Sequence, residues 1–441
     1  MSMTSIQKGS SLSLYLIVGG TLITGAANSL LTKYQDNQCV KNCSSIDDPT
    51  TRKNFEQPAI QTLQMFLGEF AMFFVWLSVR YYDAKKAINQ QSIAYEQQAN
   101  LDSRGVSAAN EEGSEGVTNK EVPNAVGLFQ NWRLAIPAIC DLSCTTLLNI
   151  GLVYTPVSIY QMTRGSIVLF VAVLSVIFLK RKITKLQWLS LAFVTLGVAI
   201  VGLSGSQHGE AKNVGGISDE AATSAAAAAG AGAGGGAGGG LVLLGIALII
   251  FATSFQGIQF VVEEHILAKH PVIPLQLVYI EGFFGASTIM FFMVLFNYIF
   301  SYLQTPEEFA DSPFNMIEAF AQVFTNKTVL VSSVLIMISI ASFNYCGLSI
   351  THRVSATARS TVDTCRTLIV WLVAIVMGWE QFLFLQMLGF VVLVFGTLCF
   401  NGVLKPEEWK YVPKWLKEEQ SVVREERRAL IEEFEEFEDR T

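Results

Sequence analysis

The sequence predicts an all-α polytopic membrane protein with ten transmembrane helices, arranged as two inverted repeats of five helices. Three observations support this fold class: an apolar composition, ten apolar runs of bilayer length, and a similarity between the two halves of the chain. Of the 441 residues, 51% are hydrophobic and 15% are charged, whereas a soluble domain usually contains about 25% charged residues. This composition is typical of a membrane protein.

The apolar runs fit the thickness of a membrane. A bilayer core of about 30 Å needs roughly 20 apolar residues per helix. No small-residue cleavage site follows the first run, so we predict a retained helix and not a cleaved signal peptide. The ten runs lie near residues 12–33, 58–80, 134–154, 157–179, 186–204, 241–262, 275–303, 328–350, 354–378 and 382–403.

The basic residues between the runs predict the orientation. Connections rich in lysine and arginine lie in the cytosol by the positive-inside rule, and this places both termini there. The connections that lack such enrichment are predicted to be lumenal. Basic residues follow the second, fourth and eighth runs, at Arg80, Lys85, Lys86, Lys180, Arg181, Lys182, Lys185, His352 and Arg353.

Composition divides the chain into four parts. Residues 1–204 form the first five-helix half, and the polar stretch 83–131 within it is predicted to be a mobile cytosolic linker. The Ala/Gly-rich tract makes 205–240 a low-complexity lumenal connection. Residues 241–404 form the second half, and 405–441 form an acidic cytosolic tail. The acidic excess is concentrated in that tail, in "EERRALIEEFEEFEDR", so the net charge of −7 gives no indication of nucleic-acid binding.

A short helix is predicted over about 306–325, between the seventh and eighth runs. Apolar side chains at helical spacing favour a helix on the lumenal side, either lying on the membrane surface or capping the bundle. The residues that share this face are Phe314, Ile317, Phe320 and Phe324.

The two halves of the chain resemble each other in the order of their landmarks. Five is an odd number of spans, so the second half enters the membrane from the opposite side and the repeat is inverted. Inverted repeats are typical of secondary transporters, whose sites lie near the midplane between the repeats. The matched landmarks are Gly151 with Gly347, Gln187 with Gln386, and Gly197 with Gly396.

Six charged residues lie well inside the apolar runs, where each costs about 2.5 to 3.5 kcal/mol at a span centre. We predict that they line one cavity near the midplane and form the site for substrate and coupling ion; the alternative for each is a structural ion pair. Four carboxyl groups against two arginines leave carboxyl groups unpaired, and such a group can carry a proton, so proton-coupled transport is a hypothesis. The six residues are Glu69, Asp141, Arg164, Glu281, Asp363 and Arg366.

The first lumenal connection contains two cysteines and a glycosylation sequon. An oxidising compartment would permit a disulfide between Cys39 and Cys43, and the residues leave open whether it forms. Asn42 is the predicted glycosylation site. The other five cysteines lie within the runs without metal-ligand spacing, so we predict neither a metal nor a cofactor.

Several motifs together resemble the drug/metabolite transporter superfamily (EamA-like), and within it the member 6 proteins of solute carrier family 35, subfamily F. These motifs are "FLGEF", "CDLSCTTLLNIGLVYTPVSIYQMTRGSIVLF", "VVEEHIL", "EGFFG" and "SATARSTVDTCRTLIVWLVAIVMGWEQF". The resemblance implies ten spans in two EamA-like halves, cytosolic termini and a solute transporter of endomembranes. It also implies a distant likeness to nucleotide-sugar carriers, whose late spans carry lysine motifs. Here the ninth run offers Asp363, Cys365 and Arg366 instead, so a nucleotide sugar is the alternative substrate class.

The acidic tail contains a sorting signature. Glu426 lies four residues before Leu430 and Ile431 in "ERRALI", the spacing of an acidic dileucine motif. Together with the resemblance, it predicts a lysosomal or vacuolar membrane, or another endomembrane, and an adaptor that binds the tail. Mitochondrial association stays open for this subfamily, and a chance match in an acidic tail is the alternative.

The leading interpretation is therefore a secondary active transporter that works by alternating access in a lipid bilayer. The alternative is a non-transporting scaffold or adaptor that retains the fold, and a homodimer stays open for either. We predict no enzyme activity, since the chain has no HExxH or GxSxG motif and its four histidines lie at or beyond the ends of the runs.

Overall fold

The computed structural model of the protein describes residues 3–41, 43, 53–55, 57–102, 134–155, 157–181, 183–207, 237–269, 272–305, 309, 312, 314–378, 383–402, 404, 409 and 413. Helices dominate these residues. The first half contains α1 (Met3–Asp36), β1 (Cys39–Lys41), β2 (Lys53–Asn54), α2 (Pro58–Asp102), α3 (Ala135–Tyr154), α4 (Val157–Arg164), α5 (Ile167–Leu179) and α6 (Lys185–Gln207). The second half contains α7 (Ala237–Lys269), α8 (Pro274–Leu303), α9 (Met316–Thr325), α10 (Lys327–Arg353), α11 (Ala356–Val376) and α12 (Phe384–Phe400).

Local sequence fixes several helix ends. α8 begins at Pro274, which lacks the N–H that a first-turn residue would leave unpaired. The side chain of Asn326 accepts hydrogen bonds from the backbone of Thr328 and Val329, and so caps α10. The Ser355 hydroxyl accepts from the Ala358 N–H at 3.1 Å and caps α11 in the same way.

Within the described residues, eight helical segments are long and apolar enough to cross a membrane. They confirm an all-α polytopic membrane protein. The last two predicted runs are also helical, but α11 contains three charged residues and α12 has 17 residues. The number ten therefore stays a prediction. Side chains such as Phe178 and Phe291 are 63% and 62% exposed, as expected on a lipid-facing surface.

Four helix pairs form the most extensive contacts of the bundle: α6 with α12, α3 with α7, α1 with α10, and α2 with α8. Each pair joins one helix of the first half to one of the second. Small residues allow the backbones to approach closely, as is common in membranes. A Cβ atom on Gly197 would lie 2.6 Å from the Leu393 nitrogen, and one on Gly282 would lie 2.7 Å from the Glu69 carbonyl carbon.

The predicted connections are partly described. α2 continues to Asp102, so the linker predicted over 83–131 is helical at its start, and 103–131 lie outside the described residues. α6 extends to Gln207 and α7 begins at Ala237, which leaves 208–236 of the Ala/Gly-rich connection outside them. α9 occupies Met316–Thr325, within the segment where we predicted a short helix.

The end of the bundle that we predict to be lumenal contains β1 and β2, which pair in an antiparallel sheet. A disulfide joins Cys39 and Cys43 beside this sheet. The Asn326 side chain donates a hydrogen bond to the Cys39 carbonyl at 3.1 Å. The sheet is thereby attached to the start of α10.

Candidate functional site

A cavity of about 180 Å³ lies among α1, α2, α3, α4, α7, α10 and α11. Three of the six predicted charges line it: Asp141, Arg164 and Arg366. Asp363 does not line the cavity but forms an ion pair of 2.8 Å with Arg366. Glu69 and Glu281 are buried beside the cavity without lining it. The structure therefore brings all six charged residues to one region, but only three of them line the cavity.

Arg164 lies where the fourth span is interrupted. α4 ends at Arg164, and α5 begins only at Ile167. Gly165 and Ser166 form a turn between them, held by backbone bonds of 3.0 Å to Met162 and Thr163. Irregular backbone at membrane depth is tolerated where it is buried in protein or lines a cavity, and interrupted helices mark the binding sites of many transporters.

The Arg164 guanidinium contacts Tyr160 and forms no ion pair among the described residues. It lies over the Tyr160 ring at 5.7 Å from the centroid. The described residues offer Arg164 no carboxylate within the 4.0 Å of an ion pair, and its Nε has no hydrogen-bond partner among them. Asp141, on α3, likewise has no ion-pair partner in the part of the chain that the structure describes.

One face of α11 carries three charged residues. Arg359, Asp363 and Arg366 follow at spacings of four and three, which align them on one side of a helix. Arg359 forms an ion pair with Glu263 of α7, and their side chains are 3% and 0% exposed. Gly347 makes room for this arginine, because a Cβ atom there would lie 2.8 Å from Arg359 Nε. Arg359 also lines the cavity.

Glu69 and Glu281 lie where α2 and α8 cross. The Asn344 amide donates to Glu69 Oε1 at 2.5 Å, and Asn344 itself lines the cavity. Glu281 Oε1 is buried without a hydrogen-bond partner among the described residues. Both carboxyl groups interact electrostatically with Glu263, Arg359 and Asp141.

The charged groups of the site form two clusters of opposite character. The basic cluster is Arg164, Asp363 and Arg366, in which Asp363 interacts with both arginines. The acidic cluster comprises Asp141, Glu69, Glu263, Glu281 and Arg359. With every group ionised, the basic cluster has an excess of one positive charge and the acidic cluster an excess of three negative charges among the described residues. The cavity lies between groups of unlike charge.

Neutral polar and aromatic side chains complete the walls. Each cavity arginine lies over an aromatic ring: Arg359 over Phe260 at 4.0 Å, and Arg366 over Phe343 at 4.8 Å, in addition to Arg164. Gln161 and Gln259 line the cavity, are 7% and 5% exposed, and have an Oε1 atom without a partner in the described structure.

Sequence reasoning missed several of these residues. Arg359 and Glu263 were absent from the predicted set, because Glu263 lies near a span end and Arg359 near the start of a run. The spacing of Arg359 with Asp363 and Arg366 was a usable signal. So was the recurrence of Gln256, Gln259 and Glu263 at three and four residues in an otherwise apolar helix. Tyr160, Gln161 and Asn344 carried no such signal.

The structure does not describe two of the other predicted sites. Asn42 and the sorting motif of Glu426, Leu430 and Ile431 lie outside the described residues. Within the residues that the structure covers, no group of three or more His, Cys, Asp and Glu side chains is arranged to hold a metal ion.

Comparison with known proteins relates the chain to solute transporters. A nucleotide-sugar transporter family model matches residues 106–298. The chain is 30% identical over 396 residues to solute carrier family 35 member F6 of both Mus musculus and Homo sapiens, covering 88% of this chain and 89% of each relative. It is 34% identical over 384 residues to an uncharacterised protein of Schizosaccharomyces pombe, covering 87% of this chain and 96% of that protein.

Proposed function

Because the chain belongs to the family of solute carrier family 35 member F6, within the drug/metabolite transporter superfamily, we propose that it is a secondary active transporter working by alternating access. The family is one of solute transporters and not of enzymes, as the sequence predicted. The observation that carries the mechanism is the charged cavity enclosed by helices of both halves, at the interrupted fourth span. Charges buried at such cost in a membrane are expected to be functional.

The contacts between α6 and α12 support the inverted repeat. Gly197 packs on Gly389 and Leu393 of α12, and Gly396 packs on Ser190 and Val194 of α6. Gly197 and Gly396 are 199 positions apart, and the same shift carries Ser190 to Gly389 and Val194 to Leu393. The contacts that Gly197 makes on α12 thus correspond, residue by residue, to the contacts that Gly396 makes on α6. A two-fold axis that relates the two halves requires this correspondence.

The contacts at the two ends of the cavity support alternating access. The cavity extends to Lys33 and Asp36 in the last turn of α1, at the end that we predict to be lumenal. At the other end, the Glu264 carboxylate binds Arg181 and also accepts the Ala356 N–H at 3.1 Å. We call these three residues the cytosolic gate. We infer from these contacts a lumen-facing state with this gate closed.

We further propose that the protein works in an endomembrane, lysosomal or vacuolar in the first instance. The support is the acidic dileucine motif of the tail. Replacing Leu430 and Ile431 with alanine is expected to redirect the protein to the cell surface, observed by microscopy of a tagged full-length chain. An unchanged location would contradict the motif.

A nucleotide sugar is the second substrate class, favoured by the family model and by three arginines on the cavity wall. The volume of about 180 Å³ counts against it, because pockets for drug-sized ligands measure about 300–1,000 Å³. Arg359 and Arg366 are moreover already paired with carboxylates. The proposed alternating-access mechanism can be tested without knowledge of the substrate.

The test is whether one cavity residue can be reached from both sides of the membrane. Thr145 lines the cavity and would be replaced by cysteine in a variant without the five free cysteines. In oriented proteoliposomes, an impermeant maleimide is expected to label Thr145→Cys from the lumenal side, and from the cytosolic side when the gate opens. Asp83→Cys, on the exposed part of α2, is the control and should react from the cytosolic side alone. Labelling of Thr145→Cys from one side under all conditions would contradict alternating access and favour the scaffold.

A further inference from the structure

The charges of the cavity wall indicate what kind of solute the site accepts, an inference that rests on the proposed function. Six Asp, Lys and Arg residues among the described ones line the cavity. Arg359 and Arg366 are neutralised by Glu263 and Asp363. Lys33 and Asp36 lie at the mouth and have interactions of their own. Arg164 and Asp141 remain, one of each sign, as the wall charges without an ion-pair partner within 4.0 Å in the described structure.

Arg164 and Asp141 are placed to act on one ligand. They interact electrostatically with each other across the cavity, yet they do not approach within the 4.0 Å of an ion pair. Arg164 belongs to the basic cluster and Asp141 to the acidic cluster, so each end of a ligand between them meets a field of one sign. A purely anionic or purely cationic solute would leave one of these two half-buried charges uncompensated, which is costly at low dielectric.

Further groups in the wall are unsatisfied and suit the same ligand. The Oε1 atoms of Gln161 and Gln259 are buried acceptors without a donor among the described residues. Buried polar atoms are normally hydrogen-bonded, and an ammonium group supplies three donors. Leu148, Leu152 and Ile340 form an apolar part of the wall. An uncharged apolar group of the ligand would pack against these three residues.

The size of the cavity sets the size of the solute. A cavity of about 150 Å³ accommodates benzene, and this one measures about 180 Å³. We propose that the transported solute is a small zwitterion of the α-amino acid class, whose carboxylate binds Arg164 and whose ammonium group binds Asp141.

The proposal is tested by removing one ligand charge and one protein charge at a time. The probes are L-alanine, L-leucine and L-phenylalanine, each with its amide, which lacks the carboxylate, and its 2-oxo acid, which lacks the ammonium group. Dissociation constants are measured with purified full-length protein by equilibrium binding. The wild type is expected to bind at least one amino acid about tenfold or more tightly than its amide and its 2-oxo acid, the usual worth of a hydrogen bond to a charged group.

The variants should lose this preference in a crossed pattern. Arg164→Gln is expected to bind the amino acid no better than the amide, while still preferring it to the 2-oxo acid. Asp141→Asn should bind the amino acid no better than the 2-oxo acid, while still preferring it to the amide. Misfolding would abolish binding of every probe and so cannot produce the crossed pattern. Arg80→Gln and Asp83→Asn, which are matched in chemistry and lie away from the cavity, should keep the wild-type order.

The opposing results are equally definite. Wild-type protein that binds none of the three amino acids, or binds an amide or a 2-oxo acid as tightly as the amino acid, overturns the zwitterion. If Thr145→Cys is still labelled from both sides in that case, the substrate class fails and the transporter stands. If labelling is one-sided as well, the proposed function fails too.

Discussion

At the scale of single residues, the ion pair of Glu263 and Arg359 shows how the bundle accommodates charge. Both side chains are almost completely buried, and Arg359 also packs on the Phe260 ring. A buried ion pair is not in itself strongly stabilising, but removing one partner leaves an uncompensated charge. Replacing either Glu263 or Arg359 alone should therefore cost more stability than replacing both.

We predict that Arg359→Gln destabilises the protein by about 3–5 kcal/mol, the usual cost of breaking a buried pair from one side. Adding Glu263→Gln to this variant should restore part of the loss, because it removes the charge that was left alone. Thermal unfolding of the purified variants in detergent measures both effects. A double variant that is less stable than Arg359→Gln would show that the two residues do not act as a pair.

At the scale of helices, the α6–α12 contact depends on backbone approach. A Cβ atom at Gly197 would lie 2.6 Å from the Leu393 nitrogen, so even alanine forces the helices apart. We expect Gly197→Ala to lower stability by about 1–3 kcal/mol, as overpacking does. Gly202→Ala is the matched control in the same helix, where the nearest atom would be 3.9 Å away. Equal thermal stability of the two variants would contradict close packing at this contact.

The cytosolic gate holds the ends of three helices together. Glu264 of α7 accepts from the first N–H of α11 and binds Arg181, which follows α5. Glu264→Gln removes the charge of this contact and should favour the state open to the cytosol. The measurement is the rate at which Thr145→Cys is labelled by maleimide from the cytosolic side, which we expect to rise several-fold. Glu318→Gln serves as the control, because Glu318 is a half-buried residue of α9, outside the gate, and its replacement should leave the rate unchanged.

At the scale of the whole molecule, the acidic cluster contains residues from both halves of the chain and is a candidate site for proton binding. Glu281 of α8 interacts electrostatically with Glu69 of α2, Glu263 of α7, Asp141 of α3 and Arg359 of α11. One arginine cannot neutralise four carboxyl groups, and buried carboxylates without a cation are costly as anions. A proton on one of them removes this cost. We therefore propose that this cluster, rather than Asp363, couples transport to protons, since Asp363 is paired with Arg366 and also interacts electrostatically with Arg164.

Glu281→Gln is accordingly expected to remove the dependence of transport on a pH gradient while leaving exchange of solute across the membrane. The reason is that glutamine fits the site but cannot bind and release a proton. Counterflow and gradient-driven uptake by proteoliposomes separate the two activities, and Asp363→Asn provides the comparison from the basic cluster. Gradient dependence that persists in Glu281→Gln would contradict the coupling role.

The sequence by itself determined the membrane class, because a composition with 15% charged residues and long apolar runs leaves the chain no soluble alternative. It also singled out Asp141, Arg164 and Arg366, which line the cavity, because the cost of charge in a membrane makes such residues conspicuous in an apolar run. The same rule selected Glu69, Glu281 and Asp363, but the energy cost of a residue does not reveal which way its side chain faces.

Only the tertiary structure decided which of the charged groups pair with each other and which line the cavity. The pairing of Arg359 with Glu263, and of Arg366 with Asp363, depends on how α7 and α11 pack and on where each helix presents its charged face. That packing leaves Arg164 and Asp141 without an ion-pair partner in the described residues and sets the volume of the cavity at about 180 Å³. The physical reason is that pairing is a property of distances between helices far apart in the chain, and periodicity within one helix contains no information about them.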